Sequence, residues 1–352
     1  MDEVTRPPFV LADREVAAGS RLTIDLPVAQ LYTHTPVNMP VHVVHGRKPG
    51  PTLLVCAAIH GDEINGVEII RRLLKLPMIG RIAGTLLAVP IVNVLGFIDR
   101  TRYLPDRRDL NRSFPGSEHG SMASRIAYMF KTEILDKSTH VVDLHTAAVH
   151  RANLPQVRVN LADKGSAELA RAFGVPVIIN SALIEGSLRY AADLKNIPVV
   201  TYEAGEALRF DEAGIRAGVQ GIVRVMRHLR MLPPLPGKAP VVRKHFVADS
   251  STWVRAEQDG IFRAVVDLGA HVRKGQVLGF IADPFGEREM QVTATLGGII
   301  VGRANLPLVH EGEALFHIAK VEAASKVARH VEVFRERLAG EDDVLLDEPP
   351  IV

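Results

Sequence analysis

Thr52-Leu-Leu-Val-Cys-Ala-Ala-Ile-His60-Gly-Asp-Glu63-Ile-Asn-Gly-Val67 is an aliphatic run that stops abruptly on polar residues. From Leu53 to Ile59 every side chain is apolar, which predicts a strand buried on both faces. Val67, Ile70 and Leu74 then recur at helical spacing, predicting a helix that packs back on that strand. His60 and Glu63 therefore fall on the turn leaving a strand's carboxyl end, where open α/β sheets bind ligands. His-x-x-Glu offers an imidazole nitrogen and a carboxylate oxygen to one Zn²⁺, leaving room for a third protein ligand and a water. With 14 histidines, such a spacing arises about once by chance, and a second copy does occur at His310–Glu313. That copy lies in a Gly-rich stretch without a strand-to-helix turn, so it reads as solvated loop charge.

The 352 residues are long enough for about two domains, and 47% hydrophobic residues support a sizeable core. A net charge of +2 argues against a nucleic-acid or anionic-membrane partner. The single cysteine, Cys56, lies inside the proposed strand. It reads as a small buried hydrophobe and excludes an intrachain disulfide or a Cys-based zinc site. The first residues carry Asp2 and Glu3 and no signal-peptide core, and the apolar stretch Thr85–Ile98 is broken by Pro90 and Asn93. A soluble, cytoplasmic protein with no membrane partner is expected.

Away from the central motif, short strand-like runs at Arg21–Val28 and Val41–His45 are expected to flank the sheet. Beyond it, Pro77 and Gly80 end the first helix and strands follow at Thr85–Val92, Thr139–Leu144, Val175–Ile179 and Ile197–Tyr202. Helices are expected near Ser121–Leu135, Ser166–Phe173, Leu188–Leu194 and Glu212–Arg230. This alternation predicts an α/β layered domain over residues 1–232, with a parallel or mixed sheet. His60, Asn93, His145 and Glu203 each fall just past one of these strands, a shared placement that points to a single site. The Pro-rich run 233–240 reads as a linker. Residues 241–320 are short β-like runs punctuated by glycines and read as a small all-β domain. Over 321–340, Val327, Val331, Phe334 and Leu338 predict an amphipathic helix that docks on the protein or on a partner subunit.

His145, at the end of Val141-Val-Asp-Leu-His145, is the natural third ligand; the competing reading is a rim histidine bonded to backbone. Asp143, on the same side of the strand, could orient its imidazole. The loop 99–116 holds five arginines and three aspartates. It reads either as a solvated, salt-bridged loop or as a set of guanidinium forks that bind carboxylate and stabilise developing negative charge. Glu203 is the candidate general base, with Glu206 as a nearby competitor.

Together His60-Gly-Asp-Glu63, Asp109-Leu-Asn-Arg112, Val142-Asp-Leu-His145 and Glu203 resemble the succinylglutamate desuccinylase/aspartoacylase family, a branch of the zinc carboxypeptidase-like fold. The resemblance covers roughly residues 45–230. It implies one Zn²⁺ per chain on His60, Glu63 and His145, with Glu203 as general base. It further implies Arg102 polarising the scissile carbonyl, with Arg100 its rival because Arg107-Arg108 lengthen the loop, and Asn111 and Arg112 holding the substrate's carboxylate. Residues 258–301 resemble a biotinyl/lipoyl-like barrel-sandwich hybrid, but Asp283–Met290, where a carrier domain would present its lysine, has none. A structural or gating module is therefore expected there.

The expected activity is zinc-dependent hydrolysis of the amide of a small N-acyl amino acid, N-acetyl or N-succinyl, through metal-activated water. The alternatives are a metallocarboxypeptidase acting on short peptides and a non-catalytic binding module on a hydrolase fold. Homo-oligomerisation through the C-terminal region is a further expectation.

Overall fold

A computed structural model describes residues 6–234, 245–322 and 324–339. The chain begins with a short hairpin, β1 (Phe9–Leu11) and β2 (Arg14–Val16), followed by two long strands, β3 (Ser20–Gln30) and β4 (Pro36–His45). The aliphatic run becomes β5 (Lys48–Ala57), and His60 to Glu63 form the turn into α1 (Asn65–Lys75). The buried face of α1 is Ile69, Ile70 and Leu73, one step round from the expected Val67–Ile70–Leu74 stripe, because Gly66 brings the helix against the strands. A Cβ at Gly66 would lie 2.6 Å from Ala57 Cβ and 2.8 Å from Leu144 Cβ.

The alternation continues with β6 (Ala83–Val89), α2 (Val94–Ile98), α3 (Met122–Glu133), β7 (His140–Ala147), β8 (Arg151–Val159), α4 (Lys164–Phe173), β9 (Val177–Asn180), α5 (Leu188–Asp193), β10 (Val199–Glu206) and α6 (Glu212–His228). The strand β8 has no counterpart among the sequence expectations. Asn153, Pro155, Gln156 and Arg158 break its hydrophobic pattern, yet it pairs antiparallel with β10 and parallel with β9.

Residues 246–321 supply β11 (Phe246–Arg255), β12 (Gly260–Ala264), β13 (His271–Val272), β14 (Val277–Ala282), β15 (Glu289–Thr293), β16 (Gly298–Ala304), β17 (Leu308–Val309) and β18 (Ala314–Val321), before α7 (Ala324–Ala339). Most of the Pro-rich run 233–240 lies outside the described residues. Among the described residues, twelve strands form one mixed sheet in the order β13-β16-β18-β11-β9-β8-β10-β7-β5-β6-β4-β3. Its centre is parallel, β6-β5-β7-β10. A smaller sheet, β15-β14-β12-β17, encloses its own core around Phe262, Leu278 and Leu315.

The sheet thus runs from one half of the chain into the other. β11 pairs with β9 and β16 pairs with β8, so β8-β9-β11-β18-β16 close a ring around Leu154, Val177, Ile179, Ala248, Ile299, Val301 and Ala319. Helices α1, α4 and α6 cover one face of the main sheet, while α3, α5 and the β1–β2 hairpin cover the other. The four residues of the expected stripe on the tail helix are buried: Val327 and Val331 against the ring core, Phe334 and Leu338 in the α1–α4–α6 core. The face expected to dock finds its cover within the chain itself. No helix among the described residues is long and apolar enough to cross a membrane.

Candidate active site

The adjacent parallel strands β5, β7 and β10 deliver their carboxyl ends to one place. Leaving β5, the chain turns sharply; the turn packs so closely on α2 that a Cβ at Gly61 would sit 2.0 Å from the carbonyl carbon of Gly96. Asn65 ties the turn to β10, donating to the Ala204 carbonyl at 3.0 Å and accepting from the Asp211 amide at 3.0 Å. His60 and Glu63 come from this turn, His145 from β7, and Glu203 lies beside His145 in the β10–β7 register.

His60, Glu63 and His145 are all buried, and one donor atom of each lies within 4.8 Å of the others, a grouping able to hold a metal ion. Glu63 sits between the rings: Oε1 is 2.7 Å from His60 Nδ1 and Oε2 is 2.8 Å from His145 Nδ1. The Thr146 amide donates to Oε2 at 3.0 Å. The far nitrogens are held by aspartates, His60 Nε2 at 3.1 Å from Asp109 and His145 Nε2 at 2.9 Å from Asp143. Carboxylates in this outer position fix ring orientation and raise the basicity of a ligating imidazole.

The charges are strongly coupled. Burial works against ionisation of Glu63, but the two imidazoles and their hydrogen bonds hold its carboxyl far below the ordinary range. Burial likewise opposes charge on His145, which Asp143 and Glu63 nevertheless push well upward; His60 is raised in the same way by Glu63 and Asp109. The pocket favours positive charge among its donors, which protons or a divalent cation could supply.

Arg102 reaches this cluster from the arginine-rich loop. Its guanidinium donates to Glu63 Oε1 at 3.3 Å and to Asp109 Oδ2 at 2.9 Å. Its rival Arg100 is exposed, on left-handed backbone with φ 54°. Asn93 plays a scaffolding part: Oδ1 caps α2 at Gly96 N, 2.8 Å away, while Nδ2 donates to the Arg102 carbonyl at 3.3 Å. Asn111 Oδ1 accepts from Leu188 N at 2.9 Å, tying the loop to the start of α5, and the exposed Arg112 donates to the Asn111 carbonyl. Glu203 is half-buried and accepts from Asn153 Nδ2 at 2.6 Å. Arg158 Nε lies 3.1 Å from Glu203 Oε1 but off the N–H axis, an ion pair and not a hydrogen bond. The competitor Glu206 is spent on structure, accepting from His150 N and Asn305 Nδ2. His310 and Glu313 sit on an exposed turn, as expected of solvated loop charge.

The family model for the succinylglutamate desuccinylase/aspartoacylase catalytic domain matches residues 49–229, more than half of the chain. The chain belongs to that family. Among relatives of known activity, N-alpha-acetyl-L-2,4-diaminobutyric acid deacetylase of Halomonas elongata is 26% identical over 298 residues, covering 81% of this chain and 86% of that one. The fold is shared with the succinylglutamate desuccinylase/aspartoacylase of Rhodobacter sphaeroides (TM-score 0.76, 25% identity, 86% of this chain and 95% of that one). It is also shared with the product-bound ectoine utilization protein EutE of Ruegeria pomeroyi (TM-score 0.77, 24% identity, 90% and 99%).

Beside the desuccinylase/aspartoacylase motifs stand residues that sequence reasoning missed. Arg189 of α5 is buried; Nη2 donates to Ser181 Oγ and the Ala182 carbonyl, while Nη1 has no partner. Burial, then the neighbouring Arg158 charge, lowers its pKa, against the pull of Asp143 and Glu203. Gln156, in register with Glu203, is fully buried with neither side-chain polar atom partnered. The polar residues that interrupt the strand pattern at 153, 156 and 158 were the available signal.

Proposed function

We propose that the protein is a zinc-dependent deacylase that hydrolyses the amide bond of a small N-acyl amino acid, of N-acetyl or N-succinyl type. The observation that carries this reading is the buried His60–Glu63–His145 group with Glu203 in register beside it at the carboxyl end of the sheet. Two imidazoles and one carboxylate, each imidazole backed by an aspartate, fit Zn²⁺ and leave open a position that a catalytic site needs. When bound, zinc lowers the pKa of water and polarises a carbonyl.

The chain's own groups then have separable tasks. Glu203, held between Asn153 and Arg158, takes the proton of the attacking water and returns it to the departing amine. Arg102 faces the metal ligands and stabilises negative charge that develops on the carbonyl oxygen. Asn111 and Arg112 receive the substrate's carboxylate at the rim, and the unpartnered Arg189 Nη1 adds a buried cation on the β10 side. Holding the substrate at both ends converts binding into orientation.

Elemental analysis of protein purified without a metal-affinity tag tests the first half of this reading. The expected result is about one zinc per chain in the wild type and near none in His145→Ala. A screen of N-acetyl and N-succinyl amino acids against dipeptides with free amines tests the second. Hydrolysis confined to the dipeptides would replace the deacylase by a carboxypeptidase.

A further inference from the structure

A continuous line of contacts runs from the C-terminal strands to the proposed base. On β11, Trp253 stacks on His317 of β18, with ring centroids 4.6 Å apart and planes 8° from parallel. His317 is in register with Gly302 of β16, and Gly302 with Asn153 of β8. Asn153, buried, then donates to Glu203 Oε2 on β10 at 2.6 Å. The glycine is the narrow point. A Cβ there would meet Asn153 Oδ1 at 3.0 Å, His317 Cβ at 3.1 Å and Trp253 Cη2 at 3.4 Å. Interiors packed this tightly transmit a displacement from one side chain to the next.

We infer that Asn153 is a positioning residue for Glu203, and that the Trp253–His317 stack of the C-terminal strands, acting across Gly302, holds Asn153 in place. This rests on the reading of Glu203 as the general base and gives the C-terminal β region a part in that reaction. A carboxylate needs one oxygen turned toward its proton donor. Asn153 occupies Oε2 and leaves Oε1, next to Arg158, to define the direction. Among the described residues, the Asn153 side chain donates to Glu203 and to none of the proposed metal ligands, so its loss acts through aim.

The test is a pair of mutant cycles on the full-length zinc-loaded protein. In the first, Asn153→Ala lowers kcat about 10-fold or more while KM moves less than about twofold; Gly302→Ala lowers kcat in the wild type and adds no further loss to Asn153→Ala. Equal fold losses from Gly302→Ala in both backgrounds would overturn the inference. The second cycle needs no substrate and is read as urea midpoints by emission of Trp253, the chain's single tryptophan. There Gly302→Ala shifts the midpoint less in Glu203→Ala protein than in wild type, and equal shifts would count against the line of contacts. If the wild type hydrolyses no N-acyl amino acid, the functional reading fails and the midpoint cycle alone decides this one. Should Gly302→Ala not fold, Trp253→Leu, which removes the stack without adding bulk, takes its place in both cycles, with every urea midpoint then read by far-ultraviolet circular dichroism in place of tryptophan emission.

Discussion

His317 carries the Trp253 ring on one face and has no partner for Nδ1. Burial first, and the Arg158 charge second, pull its pKa from 6.5 down to about 3. The unfolded chain therefore binds a proton that the folded chain refuses between those values. The stability that this neutral histidine permits is complete above about pH 6.5 and falls as pH drops, by up to about 1.4 kcal/mol per unit. His317→Gln should remove that slope, which urea midpoints at pH 7 and pH 5 would show as a smaller difference than in wild type. Glu203→Gln should keep its zinc and lose about 10²- to 10⁴-fold in kcat, checked by metal analysis alongside turnover. At this scale the proposed metal ligands were legible because each follows an apolar run: His60 and Glu63 after β5, His145 near the end of β7. Arg189 was not. It lies in an ordinary helical segment, and only packing shows that one arm of its guanidinium is left without a partner.

Among the elements, α1 is the one whose placement matters most to the site, since it packs against β5 and β7, which lead to and carry the proposed metal ligands. Gly66→Val would force the helix away from Ala57 and Leu144. The expected outcome is a loss of about 1–3 kcal/mol in unfolding free energy, with reduced zinc occupancy, measured by urea titration and elemental analysis. Most core strands could be read from their aliphatic runs to within a few residues. The exception is β8, where Asn153, Gln156 and Arg158 replace the apolar residues that a buried strand ordinarily carries. Those side chains gather around Glu203 and the C-terminal strands, so the demands of the site erased the pattern that would have announced the strand. The same logic explains Asn93. It follows an apolar run and was grouped with the site, whereas its side chain caps α2 and steadies the loop bearing Arg102.

Over the whole molecule, composition separates residues 241–320 from what precedes them, but space does not. Strand pairing between β9 and β11 and between β8 and β16 is long-range, and no local pattern in either half encodes it. Truncation at residue 234 would strip Leu154, Val177 and Ile179 of their ring partners and leave β8 and β9 with bare edges. The truncated chain should be insoluble or lack a cooperative thermal transition, checked by circular dichroism. The continuous sheet also gives the single thiol an unusual vantage. Cys56 is fully buried on β5, flanked by β6 and β7, with Sγ turned toward Asp143 Oδ1 at 3.5 Å, and burial pushes its thiol pKa well up. A maleimide can reach it only after those strands part, so the rate of alkylation is a stopwatch on the opening of the molecule, started and read without any knowledge of its function.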